Sequence, residues 1–263
     1  MEQRVAIVTG ASSGLGRAVA WRAARQGFAV VVAARRADRL QALVRRIEAA
    51  GGTALAVPAD VARLEDQRRL IEATVGAFGR IDVLVNNAGM AVPGEFHAAT
   101  PEELRRQWDV NVTAVATLTR LALPYLEAHG GVVINIGSAL ARIPMPGIGN
   151  YSPNKIAVRG LTEALRRELA PRGVQVCLVE PGPIATEFHA HARRKQILPA
   201  ALVLTPAATA RPIVRLFDRP RPRIVVPAYL RPVLFGIGAL GGLFPPLADL
   251  LAALHARRGR VDF

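Results

Sequence analysis

Tyr151 and Lys155 stand four residues apart at the opening of an amphipathic stretch, so on a helix they share one face. Pro153 lies between them, and proline is tolerated only in a helix's first turn, where its missing N–H is not needed. Tyr151 therefore sits close to a helix N-terminus, whose dipole favours an anion. A free phenol titrates at about 10; a neighbouring ammonium and the dipole both favour the phenolate and move the group toward working pH. Such a tyrosine can give a proton to a carbonyl oxygen or take one from an alcohol. An isolated Tyr-x-x-x-Lys is more often a surface pair with a snorkelling lysine, so its meaning depends on the rest of the chain.

A second stretch, "TGASSGLG" at residues 9–16, joins the apolar run "VAIV" to the helix-like "RAVAWRAARQG". Gly10 supplies backbone conformations that other residues avoid. Gly14 and Gly16 carry no side chain to block a phosphate or the packing of helix on strand. The N-terminus that follows offers unpaired N–H groups and a positive dipole end, which suits an anion.

The elements that must position these residues are legible in outline. Apolar, β-branched runs occur at 5–8, 29–33, 53–57, 83–86, 132–136, 174–180 and 223–226. Amphipathic segments lie between them near 15–26, 37–49, 63–78, 101–128 and 154–170. Continuous apolar strands separated by helices predict a parallel sheet buried on both faces. Right-handed crossovers then give a doubly wound α/β fold, a predominantly parallel seven-stranded sheet with helices on both sides. No repeat or low-complexity linker divides residues 1–227, which read as one domain; residues 228–263 differ in kind.

The spacing T-G-x-x-x-G-x-G resembles the short-chain dehydrogenase/reductase family. The resemblance recurs over about 190 residues, in the family's order: "AD" at 59–60, "NNAG" at 86–89, Asn111, Ser138, "YSPNK" at 151–155 and "PGPIAT" at 181–186. It implies a Rossmann-like fold and hydride transfer at C4 of a nicotinamide, with Tyr151 handling the proton. It also implies that Lys155 holds the nicotinamide ribose, Ser138 the substrate oxygen, and Asn111 a water linking Lys155 to solvent. Cofactor contacts are implied for Gly10, Ser12, Ser13, Gly14, Leu15 and Gly16 in the turn, and for Asn87, Ala88 and Gly89 near the adenosine ribose. Asp60 and Val61 would meet the adenine, and Pro181, Gly182, Ile184 and Thr186 would cover the nicotinamide. Asp60 also reads as the N-cap of the following helix. The "SPN" between Tyr151 and Lys155 departs from the small residues common in the family and shifts the helix start without removing a reacting group.

The second apolar run ends "VVVAARR". An acid near this strand end accepts hydrogen bonds from the ribose 2′-OH of NAD; here Arg35 and Arg36 stand instead, and arginine suits a phosphate. The expected cofactor is NADP(H), with Arg35 the stronger candidate and Ser12 or Ser13 assisting. No metal site is expected.

The 263 residues carry a net charge of +14, and only two of the 34 basic residues are lysines, Lys155 and Lys195. Residues 189–263 hold a net +9 of this. Aromatics make up 5% and no reading motif occurs, so nucleic-acid binding is not expected. The single cysteine, Cys177, excludes an internal disulfide framework and fits a reducing compartment. No basic n-region with a long apolar h-region opens the chain, so no secretory signal is read and a cytoplasmic location is expected.

The family's variable substrate lid falls at about 187–210. No acid lies between Glu187 and Asp218, which argues against a cationic substrate. Residues 233–254 contain one charge, Asp249, with four glycines and Pro245–Pro246. This tail has three readings. It covers the pocket and a subunit interface, lies in a membrane interface through 229–263 on the inner face, or spans the bilayer. Family members acting on steroids or other lipids have comparable extensions, which with the apolar tail points to an apolar small-molecule substrate. The resemblance also implies a homo-oligomer, dimer or tetramer.

The leading expectation is an NADP(H)-dependent oxidoreductase interconverting a carbonyl and a secondary alcohol. A non-catalytic NADP-binding sensor or membrane-associated scaffold is the alternative, and it should have lost one of Ser138, Tyr151, Lys155 or Asn111. An extended-family epimerase or dehydratase would bring a G-x-x-G-x-x-G turn and a longer chain, which this sequence lacks.

Overall fold

The computed structural model describes residues 3–92, 94, 96–142, 151–187, 203–232 and 234–236. Seven strands run β1 (Val5–Thr9), β2 (Ala29–Ala34), β3 (Thr53–Pro58), β4 (Val83–Asn86), β5 (Val132–Ile136), β6 (Gln175–Pro181) and β7 (Arg223–Val226). They form one sheet in the order β3-β2-β1-β4-β5-β6-β7, with every pairing parallel. All seven apolar runs of the sequence are strands, and the doubly wound seven-stranded sheet is as expected.

The helices between and after them include α1 (Gly14–Ala24), α2 (Ala37–Ala49), α3 (Leu64–Phe78), α4 (Pro101–Trp108), α5 (Ala114–Ala128), α6 (Tyr151–Leu169) and α7 (Pro206–Arg215). Alternation along the strands divides the core. On β1, Ala6 and Val8 face α1, α2 and α7 through Val19, Leu40, Ile47 and Ile213. Val5 and Ile7 face the other way, toward Leu70 of α3, Leu118 and Leu126 of α5 and Leu169 of α6. A strand buried on both faces must be apolar at every position, which is why these runs show no alternation.

The strand order reverses between β1 and β4, and the C-terminal ends of those strands, Thr9 and Asn86, open the crevice where open α/β sheets bind ligands.

Two elements differ from expectation. The segment 101–128 is helical throughout but not uniformly α. A π-turn, Asp109–Thr113, separates α4 from α5, and α4 opens on a capping box in which Thr100 and Glu103 satisfy each other's backbone amides. The segment expected as lid, 187–210, overlaps the first turn of α7, whose Thr209 and Ala210 are buried while Ala207 and Ala208 are exposed. Residues 188–202 lie outside the described residues.

Candidate active site

The end of β5 and the first turn of α6 bring Ser138 and Tyr151 together. Ser138 opens a 3₁₀ turn, Ala139–Ala141, and its Oγ accepts from Leu140 N at 3.1 Å. Its side chain also interacts with the Tyr151 phenol and favours the ionised form. Pro153 falls in the first turn of α6, where its missing amide costs no helical bond. One turn on, Lys155 is buried, and its Nζ donates to the Ile136 carbonyl at 2.8 Å. The ammonium lies 5.7 Å from the centroid of the Tyr151 ring.

The expected lowering of the phenol's pKa is reversed. Burial pushes Tyr151 up to about 12, and the Ser138 side chain offsets only part of this. Burial also lowers Lys155 to about 8. Helical spacing put the two groups on one face, and burial is the largest influence on both.

Asn111 sits in the π-turn, fully buried. Its Oδ1 accepts from Met90 N at 2.9 Å, and its Nδ2 donates to Met90 O at 2.8 Å and to Asn154 Oδ1 at 3.2 Å. The amide thus clamps the loop after β4 to α6. A Cβ on Gly89 would stand 3.3 Å from Asn111 Oδ1 and 3.7 Å from Lys155 Nζ, so Gly89, Asn111 and Lys155 share one small space. Asn154 is buried, and its Nδ2 has no hydrogen-bond partner among the described residues.

The glycine turn is held from β4. Gly10 adopts φ +66°, and a Cβ there would lie 2.8 Å from Asn87 Nδ2. Asn87 donates through Nδ2 to Thr9 O at 2.8 Å, while the amides of Asn87 and Ala88 both donate to Thr9 Oγ1 at 3.0 Å. Asn87 therefore braces the turn. A Cβ on Gly16 would meet Asn87 Nδ2 and stand 2.5 Å from Gly10 O. Leu15 is buried under the turn. Ser13 occupies the N-cap of α1 without capping it. Its hydroxyl accepts instead from Arg36 Nη2 at 2.8 Å.

Of the two arginines, Arg36 is the one that reaches the turn. Arg36 donates from Nε and Nη2 to Ser12 Oγ at 3.1 and 2.9 Å, so it converges on both serines of the turn. Arg35 is exposed and has no hydrogen bond or ion pair among the described residues. One residue's difference on the turn after β2 decides which guanidinium faces the glycine loop. Arg36 Nη1 also donates to Glu187 Oε2 at 3.0 Å, and Arg39 Nη1 to Glu187 Oε1 at 2.7 Å.

Asp60 does not cap α3, which starts at Leu64 with Arg63 at the cap. Its Oδ1 accepts from Ala62 N at 3.1 Å and its carboxylate pairs with Arg106 of α4, beside buried Val61. Beyond β6, Thr186 closes on Gly14, where a Cβ would lie 3.0 Å from Thr186 Cγ2. Ile184 bridges to Leu204. Leu230, at the start of the C-terminal extension, lies against Gly182, and a Cβ there would stand 2.6 Å from it.

Sequence reasoning missed a buried ion pair behind the site. Arg142, four residues after Ser138, donates to Glu180 from Nε at 3.1 Å and from Nη2 at 3.0 Å, and Phe235 stacks on its guanidinium at 4.4 Å. A lone acid ending the apolar run "VQVCLVE" was the available signal, but spacing does not reveal its partner. Glu187 and Arg39 were missed likewise. The remainder of the extension, 233 and 237–263, lies outside the described residues, including most of the apolar stretch read as interfacial or spanning. No described helix is long and apolar enough to cross a membrane.

A glycine turn at a helix N-terminus with no acid in its first turn, two hydroxyls and a guanidinium form a donor set for a phosphate-bearing group. The Ser138–Tyr151–Lys155 cluster stands across the same crevice. A nicotinamide dinucleotide fits these residues. The family model "short chain dehydrogenase" matches residues 4–197.

The chain belongs to that family.

Its members are NAD(P)-dependent oxidoreductases. The chain is 44% identical to an uncharacterized oxidoreductase of Methylorubrum extorquens over 189 residues, 71% of this chain and 75% of the relative. A short chain dehydrogenase from Burkholderia cenocepacia in complex with NADP superimposes with a TM-score of 0.74 at 34% identity. That match covers 82% of this chain and 91% of the other. The 3-ketoacyl-(acyl-carrier-protein) reductase from Brucella melitensis, complexed with NADH, gives 0.76 at 33% identity with the same two coverages. Relatives of this chain thus carry either nicotinamide cofactor.

Proposed function

We propose that this short-chain dehydrogenase is an NADP(H)-dependent oxidoreductase that interconverts a carbonyl and a secondary alcohol on an apolar small molecule. The observation that carries the reading is the juxtaposition of the Ser138 hydroxyl and the Tyr151 phenol, one helical turn from the buried Lys155 ammonium.

Bound in the crevice, the cofactor supplies or receives a hydride at its nicotinamide ring. The chain's own residues do the rest. Ser138 holds the substrate oxygen, and Tyr151 donates its phenolic proton to that oxygen during reduction. Lys155 offsets the negative charge left on the phenol, while its bond to Ile136 O fixes the ammonium in place. Asn111 keeps the Gly89–Met90 loop against α6. The turn at Gly10–Gly16 holds the pyrophosphate, with Ser12, Ser13 and Arg36 receiving the 2′-phosphate. Asp60 and Val61 face the adenine, and Pro181, Gly182, Ile184 and Thr186 cover the nicotinamide.

The choice of NADP(H) is supported by Arg36 on the two serines and by the missing acid at the end of β2. An apolar substrate is supported by Leu230 against Gly182 in the loop after β6 and by the lack of acids between Glu187 and Asp218. The 3-ketoacyl reductase among the relatives puts β-ketoacyl thioesters on the panel with sterols and long-chain ketones.

The test is Tyr151→Phe, assayed by NADPH absorbance on the best substrate of that panel. Turnover should fall by about 10²–10⁴-fold, the scale of a lost proton donor, while NADPH binding followed by fluorescence stays near the parent value. A variant that keeps most of its turnover removes Tyr151 as the proton donor.

A further inference from the structure

Glu187 follows Thr186 directly, at the end of the loop that closes over Gly14, yet its carboxylate reaches to the far side of the glycine turn. It accepts from Arg36 Nη1 at 3.0 Å and from Arg39 Nη1 at 2.7 and 2.9 Å. Arg36 spends its other donors on the two serines: Nε on Ser12, and Nη2 on Ser12 and Ser13. Four of the five N–H bonds of a guanidinium are thereby engaged. The hydrogen bonds from Arg36 and then Arg39 hold the Glu187 carboxyl down at about 2, so it is ionised at any working pH. A carboxylate on a guanidinium pair has the charge and bidentate geometry that a phosphate would bring to the same donors.

We infer that Glu187 sets cofactor discrimination by competing with the cofactor's 2′-phosphate for Arg36 and Arg39. The inference rests on the NADP(H) reading above. A phosphate dianion approaching Ser12 and Ser13 meets an Arg36 already bonded to an anion. It must displace the carboxylate or lie beside it, and like charges at that distance repel. A dinucleotide with a bare 2′-hydroxyl makes no such demand and leaves the Glu187 bonds in place. Glu187 therefore weakens NADP(H) selectively and narrows its advantage over NAD(H). Because Glu187 adjoins Thr186, the contact also ties the loop over the nicotinamide to the adenosine end of the crevice. Entry of the 2′-phosphate releases that tie.

The test is Glu187→Gln in the full chain, with NADPH and NADH titrated by fluorescence. Adenosine 2′,5′-bisphosphate and 5′-AMP serve as competing probes that lack the nicotinamide. NADPH and the bisphosphate should each bind roughly 3- to 10-fold more tightly, the scale of relieving exposed ion pairs. NADH and 5′-AMP should stay unchanged, and Glu187→Asp, which keeps the charge, should stay near the parent. Unchanged NADPH binding in Glu187→Gln overturns the inference. Weaker NADPH binding overturns it too, since Glu187 would then hold Arg36 in position for the phosphate. Arg36→Ser separates the two levels. If it leaves the NADPH-to-NADH ratio untouched, the cofactor reading fails. If it collapses the ratio while Glu187→Gln does nothing, only the competition fails.

Discussion

The Lys155 ammonium bonds the backbone carbonyl of Ile136, at the end of β5, from 2.8 Å. It is fixed to the sheet, and the phenol of Tyr151 lies beside it on the same helical turn. The strand whose end leads into Ser138 thus also anchors the lysine, so substrate-side and cofactor-side groups share one rigid support.

The pH dependence follows from that burial. Reduction needs the charged ammonium, and Lys155 titrates at about 8, so kcat/KM for reduction should hold below that pH and fall as pH rises through it. Tyr151, at about 12, stays protonated throughout and adds no limb in this range. Stability runs the other way. The unfolded lysine keeps its proton up to the ordinary 10.5, so above pH 8 the unfolded state binds more protons and stability rises. The buried Cys177 opposes this above 9.0, because burial lifts the folded thiol to about 11. Thermal melts should therefore show a gain between pH 8 and 9 while activity declines; parallel decline of both would refute the assignment to Lys155.

Arg35 and Arg36 should separate cleanly. Arg36→Ser removes a charged donor bonded to both serines of the turn and should weaken NADPH by roughly 10- to 100-fold, the range for hydrogen bonds to charged groups. Arg35→Ser, at an exposed position without a partner among the described residues, should cost only a few-fold through the local field. Dissociation constants for NADPH and NADH decide it, and equal losses at the two positions would contradict the geometry.

Gly16→Ala should be among the most damaging single-methyl additions. Its Cβ would meet Asn87 Nδ2 and stand 2.5 Å from Gly10 O, both held by the bonds that shape the turn. Overpacking of this kind costs about 1–3 kcal/mol, and the displaced turn should weaken both dinucleotides. Chemical denaturation and cofactor titration measure the two effects. Gly76→Ala, where a Cβ meets nothing within 4 Å, is the control.

Glu180→Gln should destabilise strongly. Glu180 is fully buried and Arg142 side-chain exposure is 5%, so the change strands a charge in the interior at about 3–5 kcal/mol. Replacing both with methionine should recover much of the loss, and a double-mutant cycle in urea reads the coupling. Equal, additive losses would show that the pair is not coupled.

The order of strands and helices was legible because a sheet covered on both faces demands unbroken apolar runs, and because the helices between them repeat at 3.6 residues. Membership of the site was legible for the same local reasons: a glycine turn, a tyrosine and lysine one turn apart, a proline admitted only at a helix start. The π-turn that aims Asn111 at Met90 and Asn154 was not, since "DVNVT" carries no local signal for an extra residue in a helical turn. The helix α7, which opens with Pro206 after a Thr205 cap, was likewise not read, because the alternation of apolar runs does not weigh that local signal.

What the chain's letters determined by themselves were the elements, their order and the groups available at each strand end, because those depend on neighbours within a few positions. Only the folded molecule decided which guanidinium turns toward the serines, which carbonyl receives the lysine, that Glu180 meets Arg142 and that Glu187 reaches Arg36. Those outcomes depend on side-chain direction at a turn and on the desolvation that arises when separate layers close over a group, and neither quantity exists until distant segments are packed together.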